Sequence, residues 1–193
     1  MSCSDSEIFR TKAEREKALQ SCRHPVFSRH AIIPKLVDEE YCCMTDLVSI
    51  LDYGAGKHAA HVLHLRSQGY TNVTAYDLPE NQVDGLHDPS ALWRTYDCVY
   101  ASNVLNVLST RRGIAAVVNQ IFELAEHRIF LNFTSAPRYL NISDKSVNQI
   151  ILEANGRESK YWDIQWNPVD ICGEPGSLKR RYEGSIWKIK RIV

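Results

Sequence analysis

The chain reads as an α/β domain, a mainly parallel sheet flanked by helices and finished by a C-terminal antiparallel hairpin. Three observations carry that reading. Apolar runs of strand length alternate with segments of helical period through the middle of the chain. One such run, Leu47-Val48-Ser49-Ile50-Leu51-Asp52, passes straight into Tyr53-Gly54-Ala55-Gly56, a buried strand entering a glycine turn. Near the end, two β-like segments, 160–169 and 184–193, flank the connection Gly173-Glu174-Pro175-Gly176.

The elements follow in order. Residues 5–20 form a charged, N-capped helix with little apolar face, which suits a mobile arm. Pro25 and Pro34 punctuate an irregular stretch, and a short helix over 35–46 leads into the core. After the strand over 47–52 comes a helix from His58 to Gln68, closed by Gly69. Asn72-Val73-Thr74-Ala75-Tyr76-Asp77 is the second strand, 96–101 the third and 127–133 the fourth. Helices are expected over 114–125 and 143–154. Trp162 and Trp166 share one face of the first hairpin segment and, with Trp187 on the second, suit core or dimer packing better than base stacking.

Composition narrows the function. At 193 residues the chain is near the roughly 150 expected of one domain, and 44% hydrophobic residues supply a core. Lys+Arg and Asp+Glu are equal at 23 each, so no global charge draws nucleic acid or an anionic membrane. Six basic residues (Lys179, Arg180, Arg181, Lys188, Lys190, Arg191) cluster near the end, a pattern that suits a solvated strand face better than a nucleic-acid groove. No apolar run reaches membrane-spanning length, and residues 1–20 lack the apolar stretch of a signal peptide. Cys3, Cys22, Cys42, Cys43, Cys98 and Cys172 show no CxxC spacing, which fits free thiols in a reducing compartment. A cytoplasmic location is the resulting expectation.

The chemistry concentrates at Asp52-Tyr53-Gly54-Ala55-Gly56-Lys57-His58. A glycine turn opening a helix lets backbone N–H groups approach a ligand closely. Asp77 ends the next strand, 21 positions after Gly56, where a carboxylate can accept both hydroxyls of a ribose. Together these features specify a nucleoside-containing ligand at the carboxyl edge of the sheet. Gly54-Ala55-Gly56-Lys57-His58-Ala59 also satisfies the loose dinucleotide pattern G-x-G-x-x-G/A. Asp52, two residues before the first glycine, argues against it, because an acid there repels a pyrophosphate and attracts an ammonium or sulfonium. His58, His61 and His64 lack the i, i+4 spacing with an acid or cysteine that a metal shell needs, so no metal is expected.

Asp52-Tyr53-Gly54-Ala55-Gly56 resembles motif I of class I S-adenosylmethionine-dependent methyltransferases, and Asp77 falls at that family's ribose-binding acid. The run from Tyr96 through Ala101-Ser102-Asn103-Val104-Leu105-Asn106-Val107 is similar to the family's fourth strand and following loop, in the form met in small phage and bacterial methyltransferase-like proteins. The resemblance covers about residues 47–135. It implies a Rossmann-like three-layer α/β/α sandwich with S-adenosyl-L-methionine as cofactor. Only 18 residues separate Asp77 from Tyr96, so the sandwich is abbreviated between the family's second and fourth strands.

On this resemblance the cofactor contacts are Asp52, Tyr53, Gly54, Ala55, Gly56, His58, Asp77, Leu78, Ser102 and Asn103, with His87 and Asp88 against the adenine edge. His58 stands where the family usually has a third glycine. Asn103 and Asn106 face the methyl and are the catalytic candidates, while Arg138 and Tyr139 line the substrate side. Residues 1–46 are expected as a helical arm or lid, closing with Arg29 and Lys35 over a cofactor domain of 47–193. An Asn/Asp-Pro-Pro-aromatic signature and a Pro-Cys nucleophile are both missing, which disfavours the usual base-modifying DNA enzymes. The activity implied is methyl transfer to an unidentified acceptor, small molecule, protein or nucleic acid. The alternatives are a cofactor-binding regulatory protein without transfer, and a nicotinamide-dependent oxidoreductase.

Overall fold

The computed structural model describes residues 5–21, 32–134, 144–158, 162–168 and 184–191. Six strands form one sheet, in the order β2-β1-β3-β4-β6-β5. They are β1 (Ile50–Tyr53), β2 (Val73–Tyr76), β3 (Tyr96–Ser102), β4 (Ala125–Thr134), β5 (Trp162–Pro168) and β6 (Gly184–Arg191). The first four are parallel, and β6 lies antiparallel between β4 and β5.

Strand alternation divides the core between two faces. Leu51, Val99, Ala101, Ile129 and Leu131 point to one side, where α5 (Arg111–Leu124) and α6 (Asp144–Glu158) cover them. Ile50, Cys98, Tyr100 and Phe130 point to the other, against α3 (Ile32–Tyr41) and α4 (Ala60–Ser67). This is the three-layer α/β/α sandwich expected from the sequence. Its abbreviation lies at the sheet edge. Between β2 and β3 the chain makes two short 3-10 turns, Pro79–Asn81 and Ala91–Trp93. A single parallel bridge, Ala75 to His87, stands beside β2, with the Asp88 N–H donating to the Ala75 carbonyl at 2.9 Å.

The helix expected over 5–20 is broken into α1 (Asp5–Ile8) and α2 (Lys12–Ser21). The break has a local cause. Thr11 Oγ1 accepts the Glu14 N–H at 3.2 Å while Glu14 Oε2 accepts the Arg10 N–H at 2.8 Å, a reciprocal cap that starts a new helix. The helix expected over 35–46 begins earlier and ends at Tyr41, with turns through residue 47. Pro34 sits in its first turn, where a missing N–H costs nothing.

Within the stretch 1–46, expected as one arm, the two described parts, 5–21 and 32–46, lie in different places. Val37 of α3 is fully buried in the α4-side core. The segment α1–α2 instead crosses the carboxyl edge of the sheet. Ile8 packs into the α5-side core at one end. At the other, the Arg15 guanidinium grips Glu80 with Nε to Oε1 at 2.8 Å and Nη2 to Oε2 at 3.0 Å. That guanidinium holds the Glu80 carboxyl below its usual range. Lys35 pairs with Glu39 at the surface, and Arg29 lies outside the described residues. No described helix is long and apolar enough to cross a membrane.

The seat of α1 yields a test. A Cβ at Gly113, in the first turn of α5, would stand 2.3 Å from the Ile8 carbonyl oxygen. Gly113→Ala is therefore expected to leave the sheet intact, since alanine favours the helix by about 1 kcal/mol, yet to displace α1 from α5. Limited proteolysis should cut faster within residues 5–21 of the variant, at an unchanged melting temperature for the rest.

Candidate functional site

The chain leaves β1 for β2 on one side and returns to β3 on the other, so the crevice outside the carboxyl ends of β1 and β3 is the switch point of the sheet. A cavity opens there, about 1100 Å³ counting the part open to solvent. Of the residues expected from the sequence, Asp52, Tyr53, Gly54, Ala55, Gly56, His58, Asp77, Leu78, Ser102 and Asn103 line it.

Its floor is the loop after β1. Gly54 and Gly56 have φ of 79° and 67°, and the Gly54 and Ala55 N–H groups both donate to the Tyr76 carbonyl at 2.9 Å. A side chain at Gly54 would collide with Val104, whose Cγ2 stands 2.5 Å from a Cβ there. Gly56 is tied at both of its backbone groups. Its N–H donates to Asp77 Oδ2 at 2.6 Å, and its carbonyl meets His87 Nε2 at 2.9 Å. Because His87 Nδ1 accepts the Val83 N–H at 3.1 Å, the proton sits on Nε2, which donates to Gly56.

Asp77 is more occupied than its position in the sequence suggests. It is 3% exposed, and Oδ1 also accepts from the Leu78 N–H and Asn81 Nδ2, both at 2.8 Å. Three of about four acceptor sites are thus taken by the protein. One hydroxyl can be accepted at Oδ2, whereas a ribose claiming two would have to displace a protein donor.

Asp52 is the opposite case. It is 2% exposed, and its Oδ2 is buried without a hydrogen-bond partner. Burial pushes its carboxyl up to about 8, the nearby Tyr100 hydroxyl opposes that rise, and the Asp77 charge adds to it. Tyr100 is the register partner of Asp52 on β3, yet no hydrogen bond of ordinary geometry joins the two side chains. Such an orphaned buried carboxylate needs an explanation, and a cation brought to the cavity supplies one. Desolvation also lowers the His61 imidazole, the second residue of α4, to about 4, so it is neutral at pH 7.

Other expected residues stand elsewhere. His87 and Asp88 do not line the cavity. His87 braces the loop from behind, and Asp88 is committed to Ser90 and to Arg94 Nη2 at 2.7 Å. Asn106, in the 3-10 turn Leu105–Val107, is also off the wall, whereas Asn103 is on it, in the left-handed region at φ 57°. The Asn103 N–H donates to the Asn132 carbonyl at 2.8 Å, and its Oδ1 is buried without a partner. Arg138 and Tyr139 lie outside the described residues. Among the described basic residues of the last strand, Lys190 pairs in register with Arg128 and Arg191 donates to the Glu126 carbonyl, at the edge opposite the cavity.

Ile8, Phe9 and Ala18 of the arm, with Val107, Leu108 and Val117, were not anticipated as walls. The Thr11–Glu14 cap signature and the apolar pair Ile8-Phe9 within a charged stretch are the signals that point to them. One grouping of metal-type side chains, Asp97, Glu126 and His127, occurs among the described residues, at the amino edge away from the cavity. There Asp97 Oδ2 is occupied by the Ser49 N–H and hydroxyl, and His127 stands 3.6 Å from Oδ1.

No protein-family model matches the chain, and no curated protein sequence matches it. Solved structures do. Magnesium protoporphyrin IX methyltransferase (ChlM) from Synechocystis PCC 6803, with bound SAM, is 14% identical at TM-score 0.55, covering 94% of this chain and 81% of that one. A chain of the Pnkp1/Rnl/Hen1 RNA repair complex is 15% identical at TM-score 0.59, covering 86% of this chain and 42% of that one. The plantazolicin methyltransferase BpumL, in complex with a desmethylPZN analog and SAH, is 13% identical at TM-score 0.58, covering 97% and 94%. The chain has the fold of class I S-adenosylmethionine-dependent methyltransferases.

Two variants test the site without any ligand. Gly54→Ala should destabilise the protein by about 1–3 kcal/mol, through the positive φ and the Val104 contact. Adding Val104→Ala should recover part of that loss in chemical denaturation, the remainder being the backbone cost. For Asp52, a folded-state pKa raised above the unfolded value near 3.9 means stability is fully present below that value and is lost as pH rises to about 8. Unfolding free energy should therefore fall between pH 5 and pH 8.5 more steeply for the native chain than for Asp52→Asn.

Proposed function

We propose that the chain is an S-adenosylmethionine-dependent methyltransferase. The observation that carries this reading is the meeting of Asp52, the Gly54–Gly56 loop, Asp77 and Asn103 around one cavity at the sheet's switch point. The solved structures of the same fold support it, two of them bound to SAM or SAH. When bound, the cofactor supplies a methyl group already activated on a sulfonium, so the protein's share is holding, aligning and excluding water.

Each wall residue has work to do within that share. Gly54 and Gly56 keep the loop free of side chains, so a ligand can approach the backbone. Oδ2 of Asp77 keeps an acceptor site for one ribose hydroxyl while anchoring the loop. Asp52 contributes a buried carboxyl whose ionised form suits an ammonium and repels a phosphate, which favours this reading over the nicotinamide dinucleotide alternative. Asn103 offers a carbonyl oxygen unclaimed by any protein donor on the wall beside the β3 end, and is the candidate for positioning the acceptor.

Calorimetric titration with S-adenosylmethionine or S-adenosylhomocysteine tests the reading. Micromolar binding, about −8 kcal/mol, is expected, and Asp77→Asn should weaken it at least tenfold. Below pH 8 the ligand-free Asp52 carries a proton that an arriving cation drives off. Titrations in two buffers of different ionisation enthalpy should show proton release at pH 7, absent in Asp52→Asn. No binding of either ligand would sink the proposal.

A further inference from the structure

The cavity has two unlike walls. On the side of β1, β2 and α4 it presents Asp52, Lys57, His58, His61 and Asp77, side chains that suit a charged nucleoside. Among the described residues, the facing wall comprises Ile8, Phe9 and Ala18 from the arm, Val107, Leu108 and Val117 from the β3–α5 side, and the rings of Tyr53 and Tyr76 beside the α5-side core. No described side chain of that second wall carries a charge, and the Tyr53 hydroxyl is spent on Gln120 Oε1 at 2.6 Å. Between the walls lie Ser102 and Asn103, the latter with its buried, unclaimed Oδ1.

The arm also limits how large a guest can be. Its first end rests on α5, where the Ile8 carbonyl sits against Gly113, and its far end is gripped at Glu80 by Arg15. A chain molecule could reach the apolar wall only by prising the arm away. Nor does that wall itself hold a described cation for a phosphate backbone, since Arg15 is spent on Glu80 and Lys57 stands on the other wall.

From this asymmetry, and resting on the methyltransferase reading, we infer that the acceptor is a small, uncharged, largely apolar molecule with an N–H or O–H donor. It lies beneath the N-terminal arm against Phe9, Val107 and Leu108. The polar wall is left for the cofactor, and the donor group is directed toward the Asn103 oxygen.

The neutral fluorophore N-phenyl-1-naphthylamine, apolar and carrying one N–H, probes the chamber without any need for turnover. It would be titrated into the full chain saturated with S-adenosylhomocysteine, with Phe9→Asp and Val107→Asp alongside, one from each side of the chamber. Saturable micromolar binding with a blue-shifted rise in emission is expected, weakened at least tenfold in both variants. Their affinity for S-adenosylhomocysteine and their melting temperatures should match the native chain. Displacement of the probe by S-adenosylhomocysteine would assign the apolar wall to the nucleoside and overturn the inference, leaving the methyltransferase reading in place. Absence of saturable probe binding to the loaded protein would overturn it as well. So would a single-stranded RNA 20-mer that binds the loaded protein at micromolar affinity and is lost in Phe9→Asp. Failure of S-adenosylhomocysteine itself to bind, read by calorimetry, would remove both proposals together.

Discussion

Both backbone groups of Gly56 are held by side chains that follow β2, and the shape of the site depends on that double hold. The N–H goes to Asp77 and the carbonyl to His87, while His87 is in turn fixed by the Val83 N–H. A loop with two positive-φ glycines has large freedom to lose, and these bonds take it away before any ligand arrives. The same bonds anchor the segment 78–95. With no further strand beyond β2 among the described residues, the short edge would otherwise rest on one isolated bridge. The shortening of the fold and the ordering of its glycine loop are therefore one structural solution, in which His87 takes up a load that a further strand would carry.

Electrostatics gives the cavity its polarity. Asp52 and Asp77 are both nearly buried at the ends of neighbouring strands, but their surroundings set them apart. Asp77 accepts three protein hydrogen bonds and serves as an anchor, whereas Asp52 is left with an unpartnered oxygen and a carboxyl raised to about 8. Burying a carboxylate without a donor is costly, so the group holds its proton until a positive charge comes near.

The arm supplies the other half of the enclosure. Its helices bury little of their own surface, and its placement comes from Ile8 in the α5-side core and from the Arg15–Glu80 pair, which is partly exposed and contributes modestly on its own.

What the sequence determined by itself is the part written in local spacing. The alternation of strand and helix periods, the Asp-x-Gly-x-Gly turn and the distance to Asp77 place the sandwich, its closing hairpin and most of the cavity floor, because each is read from residue types and spacing along the chain. The Thr11–Glu14 cap was equally local, yet a charged helical pattern running through it concealed the break. Only the tertiary structure decided that His87 supports the loop from behind, that Asn103 and not Asn106 faces the cavity, and that Ile8 and Phe9 become a wall. The physical reason is that these roles rest on contacts between residues far apart in the chain. His87 reaches Gly56 across 31 positions and Arg15 reaches Glu80 across 65, distances over which packing, and no local pattern, selects the partner.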